Sequence, residues 1–63
     1  MTTENMNAER SLLYAKYLLD AMQCANMEEA QRLIDQVAND TRISDRKYSI
    51  LRRIAIKSAY NEN

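Results

Sequence analysis

The one side chain in this sequence that could act as a strong nucleophile is the thiol of Cys24. A catalytic cysteine needs a neighbouring base or cation that holds it as the thiolate, and the chain contains no histidine. Cys24 also falls near the end of a predicted helix, where the helix dipole raises the pKa of a thiol. We therefore expect Cys24 to pack as a small buried side chain, and a lone cysteine cannot form an intramolecular disulfide.

Carboxylates are the second group that could carry out chemistry, as paired general acids and bases. Glu28 and Glu29 are the only adjacent acidic residues, and neighbours on a helix do not face each other. One cysteine and no histidine exclude the common zinc sites in a single chain, and the lack of glycine excludes both glycine-rich phosphate loops. We therefore expect no catalytic, metal-binding or cofactor-binding residue, no small-molecule substrate and no enzymatic activity.

Basic residues of the C-terminal third are the best candidates for contacts with nucleic acid or with an acidic protein. A helix, a short turn and a basic helix would loosely match a helix-turn-helix. The turn lacks the glycine often found there, and Asp40 and Asp45 lie where DNA bases would be read. A solvated basic face, or one paired with acidic groups of this chain or of a second copy, is the other interpretation. The candidate residues are Arg42, Arg46, Arg52, Arg53 and Lys57.

Charge is distributed unevenly along the chain, although nine basic and nine acidic residues cancel overall. Residues 1–40 hold seven acidic and three basic residues, a net charge of −4. Residues 41–63 hold six basic and two acidic residues, a net charge of +4. Such polarity can steer association with an oppositely charged partner, which could be nucleic acid, another protein or a second copy placed head to tail.

The elements that position these residues are predicted to be helices. A chain of 63 residues has room for one small domain. Strong helix formers are abundant, and glycine and proline are absent. The pattern of apolar residues predicts a single all-α domain over residues 1–63, with three short helices at about 8–25, 27–38 and 45–60. Residues 1–7 and 61–63 are predicted to be flexible tails.

The break between the first two helices is predicted from the position of their apolar faces. One continuous helix over residues 8–38 would shift its apolar face by roughly 130° between the two segments. Asn26 is a suitable N-cap with Glu29 three residues later, and Ser44 is expected to cap the third helix. The predicted inner faces are Ala30, Leu33, Ile34, Val37 and Ala38 on the second helix, and Ile50, Leu51, Ile54, Ala55 and Ser58 or Ala59 on the third.

The first helix carries more apolar residues than one buried face requires. They cover roughly 260° of its circumference, and the other helices of so short a chain can cover one side. We therefore predict a homodimeric helical bundle with the first helix near the two-fold axis. The alternative is that the second and third helices cover the whole surface. The predicted dimer interface consists of Leu12, Leu13, Tyr14, Tyr17, Leu18, Leu19 and Met22.

No targeting or membrane segment is expected. The opening residues MTTENMNAER lack the basic and apolar regions of a secretory signal. The longest apolar run is only a few residues, far below the ~20 that a membrane-spanning helix requires. These features predict a soluble cytoplasmic protein that does not contact a membrane.

The stretch from Met1 to Val37, which opens with MTTENMNAERSLLYAKYLLDAMQC, resembles the small open-reading-frame products encoded between the exo and xis genes of lambdoid bacteriophages. The likeness extends over the whole chain and is one of general sequence, with no functional motif. It implies a non-enzymatic phage early protein in the bacterial cytoplasm, associated with the host cell cycle or the lysis–lysogeny decision. We expect such a regulator to bind a bacterial host protein. The alternatives are a small nucleic-acid-binding transcriptional regulator that uses the third helix, and a purely structural helical module.

Overall fold

The structure is a computed structural model that describes the backbone of residues 3–61 and the side chains of residues 8–61. The described chain forms three α-helices, α1 (Thr3–Met22), α2 (Met27–Ala38) and α3 (Asp45–Asn61), and contains no strand. The predicted all-α fold is confirmed, and the bounds of α2 agree with the prediction. Within the same residues, no helix combines the length and the apolar character needed to cross a bilayer.

Helix α1 differs from the prediction at both ends. It begins at Thr3 instead of near Ala8, because a formed helix adds turns easily and residues 3–7 include neither glycine nor proline. It ends at Met22, about three residues early. The N–H groups of Gln23 and Cys24 bond to carbonyls three residues back, at 3.1 and 3.4 Å, which tightens the last turn and closes the helix.

Part of each predicted tail is therefore helical backbone, since α1 includes residues 3–7 and α3 ends at Asn61. The remaining positions of the two predicted tails, residues 1, 2, 62 and 63, lie outside the described residues.

The turn between α1 and α2 is held by the predicted cap. Asn26 has an extended backbone with φ −156° and ψ 172°, and its side-chain oxygen accepts a hydrogen bond from the Glu29 N–H at 2.9 Å. The Glu29 carboxylate accepts in return from the N–H of Ala25 at 2.8 Å, one residue before the cap. The bond to Asn26 satisfies one N–H group that the helix start leaves without a partner, and the bond to Glu29 holds the residue before the cap, so the break near residue 26 is confirmed.

The cap of α3 is also the predicted one. The Ser44 hydroxyl accepts a hydrogen bond from the Lys47 N–H at 3.2 Å, and the Ser44 carbonyl accepts from the Tyr48 N–H at 2.8 Å. The short connection over residues 39–44 thus turns α3 back along α2. Tyr14 lies beside Lys47 and the Met22 carbonyl beside Ser58, so α1 and α3 run in the same direction.

The core lies where the three helices meet. Its most enclosed large side chain is Leu51, which is 1% exposed. Ala21, Ala30 and Ala55, one from each helix, have no exposed surface, and their small size lets the helices approach closely. The buried residues are Tyr17, Ala21, Cys24, Ala30, Leu33, Ile34, Val37, Ile43, Leu51, Ala55 and Ala59.

Two residues predicted to face inward are exposed. Ile50 is 41% exposed, because α1 and α2 both pack on the side of α3 that carries Leu51, Ala55 and Ala59. Neighbouring residues on a helix point about 100° apart, so Ile50 points away from that side. Ala38, the last residue of α2, is exposed as well.

The first turns of α1 extend beyond the other two helices. The described chain measures 46 × 17 × 15 Å. Tyr17 lies level with the connection between α2 and α3, where it reaches Asp40, and Tyr14 lies beside Lys47 in the first turn of α3, so residues 8–12 continue past that end of the bundle. Residues 8–12 are accordingly all exposed. Residues 8–12 of α1 therefore have no cover from the described chain.

Candidate functional site

The outward side of α1 carries a row of apolar residues that no part of the described chain covers. Leu12, Met22 and Leu19 are 68%, 57% and 54% exposed, and the alanines at positions 8 and 15 are exposed between them. At 100° per residue the row lies about opposite Tyr17 and Ala21, the two α1 residues in the core. We call this row the α1 seam; it consists of Ala8, Leu12, Ala15, Leu19 and Met22.

The structure divides the seven residues predicted to form a dimer interface into three groups. Three of them, Leu12, Leu19 and Met22, lie in the exposed seam. Three others pack partly against the chain's own core: Leu13, Tyr14 and Leu18. The seventh residue, Tyr17, is only 6% exposed because its ring fills the core between the helices. The predicted interface did not include Ala8 and Ala15. Both lie three or four residues from Leu12 or Leu19, which is the spacing of one helix face.

Tyr17 leads to a polar cluster that the sequence did not reveal. Its hydroxyl donates a hydrogen bond to the Asp40 carboxylate at 2.9 Å, across 23 residues of sequence. The same carboxylate accepts two bonds from the Arg42 guanidinium and one from the Arg42 N–H, each at 3.0 Å. These contacts connect α1 to the turn before α3, and they occupy the side chain of Arg42.

The cluster shifts the titration of its members. The bonds from Arg42 lower the pKa of Asp40 from 3.8 to about 2, and the bond from Tyr17 acts in the same direction. Burial, followed by the bond to Asp40, raises the pKa of Tyr17 above 10.0. Asp40 is therefore a fixed negative charge over the whole neutral range, where it accepts from both partners.

We predict that Asp40→Asn lowers the melting temperature near neutral pH and that its effect shrinks in acid. The folded pKa of about 2 is below the ordinary 3.8, so the carboxylate stabilises the fold fully above the ordinary value. That stabilisation is lost as the pH falls through the folded value. Thermal unfolding followed by circular dichroism, over a pH series, measures the difference between wild type and variant.

The control for this variant is Asp35→Asn, which removes the same charge from an exposed residue of α2. A difference between wild type and Asp40→Asn that stays constant from neutral to strongly acidic pH would contradict the assignment, as would an equal effect of Asp35→Asn.

The five basic residues predicted to bind nucleic acid or an acidic partner do not share one surface. Arg42 is paired with Asp40. Arg46, Arg53 and Lys57 lie along the exposed side of α3, whereas Arg52 points about 100° away from Arg53. Among the side chains of residues 8–61, the ion pairs are Arg42–Asp40 and Arg32–Glu28. The three cations on the exposed side of α3 therefore make no ion pair within that part of the chain.

Two large apolar side chains share the face of α3 that carries these cations. Ile50 is 41% exposed and Tyr60 is 66% exposed, and both share the spacing of the basic residues, at intervals of four and three. The result is a mixed surface of positive charge and large apolar groups. We call it the outer face of α3; it consists of Arg46, Ile50, Arg53, Lys57 and Tyr60.

The opposite side of α3 is used within the fold. The Lys47 ammonium lies 5.0 Å from the centre of the Tyr14 ring, a cation–π distance. The Ser58 oxygen lies 2.9 Å from the carbonyl of Met22 and 3.1 Å from that of Cys24. It thereby provides a donor for carbonyls that the end of α1 leaves without helical partners. These contacts fix α1 to α3 and leave the outer face of α3 and the α1 seam exposed.

Cys24 has the surroundings of a packed, unreactive thiol. It is buried, and its sulfur lies 3.4 Å from the carbonyl oxygen of Asp20. Burial, then the charges of Glu29 and Asp20, raise the pKa of the thiol, so little thiolate forms at neutral pH. Cys24 lines an open cleft of about 310 Å³ between α1 and α2, together with acidic and amide side chains.

The part of the chain that the structure describes contains no group of histidine, cysteine and carboxylate side chains suited to a metal ion. Comparisons with protein-family models, with curated proteins and with solved structures find no match. The two exposed surfaces are thus the features from which a function can be inferred.

Proposed function

We propose that this protein is a small non-enzymatic regulator that acts by binding other proteins. In this proposal it pairs with a second copy through α1 and presents the outer face of α3 to a bacterial host protein. The observation that carries the proposal is the exposure of large apolar side chains on two outer surfaces of a 63-residue chain. Contiguous apolar surface on a small protein is typical of sites of protein association.

The outer face of α3 fits an acidic partner with apolar pockets. Arg46, Arg53 and Lys57 would steer a negatively charged surface towards the helix and set its orientation. Ile50 and Tyr60 would then supply the apolar contacts, since large side chains inserted into pockets contribute most of the binding energy of an interface. A partner surface that carries negative charges next to apolar pockets would match both kinds of side chain on this helix face.

The bacterial setting rests on the resemblance to the products of the phage exo–xis region. That resemblance supports a host process as the target, either the cell cycle or the lysis–lysogeny decision, in the bacterial cytoplasm.

Nucleic-acid binding is the second candidate, because three cations lie on one exposed helix face. Two features make it weaker. Arg42 is held by Asp40, and Arg52 lies on another side of α3, so the basic surface is smaller than the sequence suggested. Asp45 is exposed in the first turn of α3, the part of a recognition helix that approaches the bases.

We predict that Arg53→Glu weakens binding of a host partner about tenfold, whereas Arg52→Glu leaves it unchanged. The two residues are adjacent, carry the same charge and are both exposed, but only Arg53 lies on the outer face of α3. Tagged wild type and both variants are incubated with bacterial lysate, with and without nuclease treatment, and retained proteins are identified and quantified by mass spectrometry. Circular dichroism checks that both variants keep the wild-type helicity.

Three results would count against the proposal. Equal retention by both variants would exclude the outer face of α3 as the binding surface. Loss of every retained protein after nuclease treatment would favour the nucleic-acid alternative. That alternative has its own test, because oligonucleotide binding through phosphates weakens steeply with salt and an apolar protein interface does not. Retention of no protein by the wild type under any condition would remove the host-binding role.

A further inference from the structure

The α1 seam has the spacing of a two-helix coiled coil. Its residues follow one another at intervals of four, three, four and three, which is the seven-residue repeat of positions a and d. Leu12 and Leu19 then occupy a positions, and Ala8, Ala15 and Met22 occupy d positions. The seam covers about 21 Å of helix. The partner that such a seam fits is another helix with the same repeat.

The alternation of large and small residues selects the direction of that partner helix. In a parallel pair, identical positions meet, so Leu12 would face Leu12 and Ala15 would face Ala15. Layers of two large side chains would then alternate with layers of two small ones, and the packing would be uneven. In an antiparallel pair, a positions meet d positions. Leu12 then faces Ala15 of the second copy, and Leu19 faces its Ala8. Each of these layers combines one large and one small side chain, so the packing is even.

The charges beside the seam select the same direction. Glu9 and Lys16 are exposed and occupy successive e positions along one edge of the seam. In an antiparallel pair, e positions of the two helices lie next to each other, so Glu9 faces Lys16 of the second copy and the reverse contact forms by symmetry. In a parallel pair, Lys16 would lie beside Ser11 of the second copy and would find no opposite charge.

The fold leaves this surface open along its whole length. The seam points away from the core, and the first turns of α1 extend beyond α2 and α3. In an antiparallel pair centred between residues 13 and 14, the N-terminal extension of each α1 lies along the second half of the other α1. That second half packs against α2 and α3 of its own chain. A second copy therefore covers the part of α1 that its own chain leaves bare.

We infer that two copies of this chain pair through an antiparallel α1–α1 contact, with Leu–Ala layers in the seam and two symmetric Glu9–Lys16 ion pairs at its edge. This inference rests on the proposed self-association and specifies its geometry: which residues meet, in which direction and which charges match. It leaves the outer face of α3 free for a different partner.

The test is a charge exchange measured by analytical ultracentrifugation at low salt. Glu9→Lys and Lys16→Glu should each raise the dimer dissociation constant about tenfold, because each single change turns two attractive contacts into two repulsive ones. The double variant Glu9→Lys/Lys16→Glu should dimerise like the wild type. An equimolar mixture of the two single variants should recover the dimer, since the opposite charges then meet across the pair.

The matched control is Arg10→Glu, which makes the same charge change as Lys16→Glu at an exposed position of α1 on the side away from the seam. It should leave the dissociation constant unchanged. Circular dichroism on all variants separates a loss of pairing from a loss of folding.

The outcomes separate the geometry from the proposed function. Single variants that dimerise as well as the wild type, or a mixture that does not recover, would overturn the antiparallel register while self-association stands. A wild type that sediments as a 7.4 kDa monomer at every concentration would overturn the pairing altogether. Neither result touches the comparison of Arg53→Glu with Arg52→Glu, which tests the host-binding surface separately.

Discussion

Replacing Leu51 by alanine should lower the free energy of unfolding by about 2–5 kcal/mol, the usual range when a buried leucine is truncated. Leu51 is the large side chain most completely enclosed by the three helices, at 1% exposure. The substitution removes apolar contacts and leaves a cavity that two neighbouring helices border. A chain of 63 residues has a total stability of roughly 3–9 kcal/mol, so this one change removes a large share of it.

Urea unfolding followed by circular dichroism measures the effect, at one fixed protein concentration, since the apparent stability of any protein that associates depends on concentration. The matched control is Ile50→Ala. It truncates a side chain of similar size one residue away on the same helix, but at a position that faces water. A loss for Leu51→Ala no larger than that for Ile50→Ala would show that the core is not centred on Leu51.

Replacing Ala30 by leucine should destabilise the fold by about 1–3 kcal/mol through overpacking. Ala30 has no exposed surface and lies on the side of α2 that faces the core, as do Leu33, Ile34 and Val37. The extra carbon atoms have no space there unless the helices move apart, and such movement would loosen the contacts of Ala21 and Ala55 as well.

Ala38→Leu is the control for this prediction, since it makes the same substitution at an exposed position of the same helix. It should change the stability little. Thermal unfolding of both variants, under identical conditions, decides between the two. If Ala30→Leu were as stable as Ala38→Leu, the helices would not be in the close contact that the buried alanines indicate.

Local signals in the sequence were sufficient for the starts of α2 and α3. Asn26 with Glu29, and Ser44 before α3, bond to N–H groups within three or four residues, so the relevant atoms are close in the sequence itself. The inner face of α2 was predictable for a similar reason. Its apolar residues follow one helical period and its other side is polar, so one orientation is clearly favoured.

The orientation of α1 could not be read in that way. Apolar residues surround most of this helix, so periodicity alone does not say which of them face the core. Tyr17 rather than Leu12 or Leu19 turns inward, because its ring fills space at the core and its hydroxyl reaches Asp40. That bond joins residues 23 apart in sequence, and no local pattern announces it.

The candidate surfaces also depend partly on residue types, which the sequence shows, and partly on the fold, which it does not. The basic residues of the C-terminal third were evident by type, yet their grouping depends on the fold. Helical geometry places three of them on one face: Arg46, Arg53 and Lys57. Arg42 is instead paired with Asp40 in the turn before α3. Ile50 is exposed because α1 and α2 both pack on the side of α3 that carries Leu51.

By itself the amino-acid sequence determined that this chain is helical, where it turns and which residue types are available for chemistry, because those properties depend on interactions between near neighbours. The tertiary structure decided which side of α1 is buried, which charge is neutralised and which apolar residues remain in water. Those outcomes depend on how three helices with competing apolar faces divide a limited core among them. A core this small cannot enclose both sides of α1, so one apolar side of that helix remains in water.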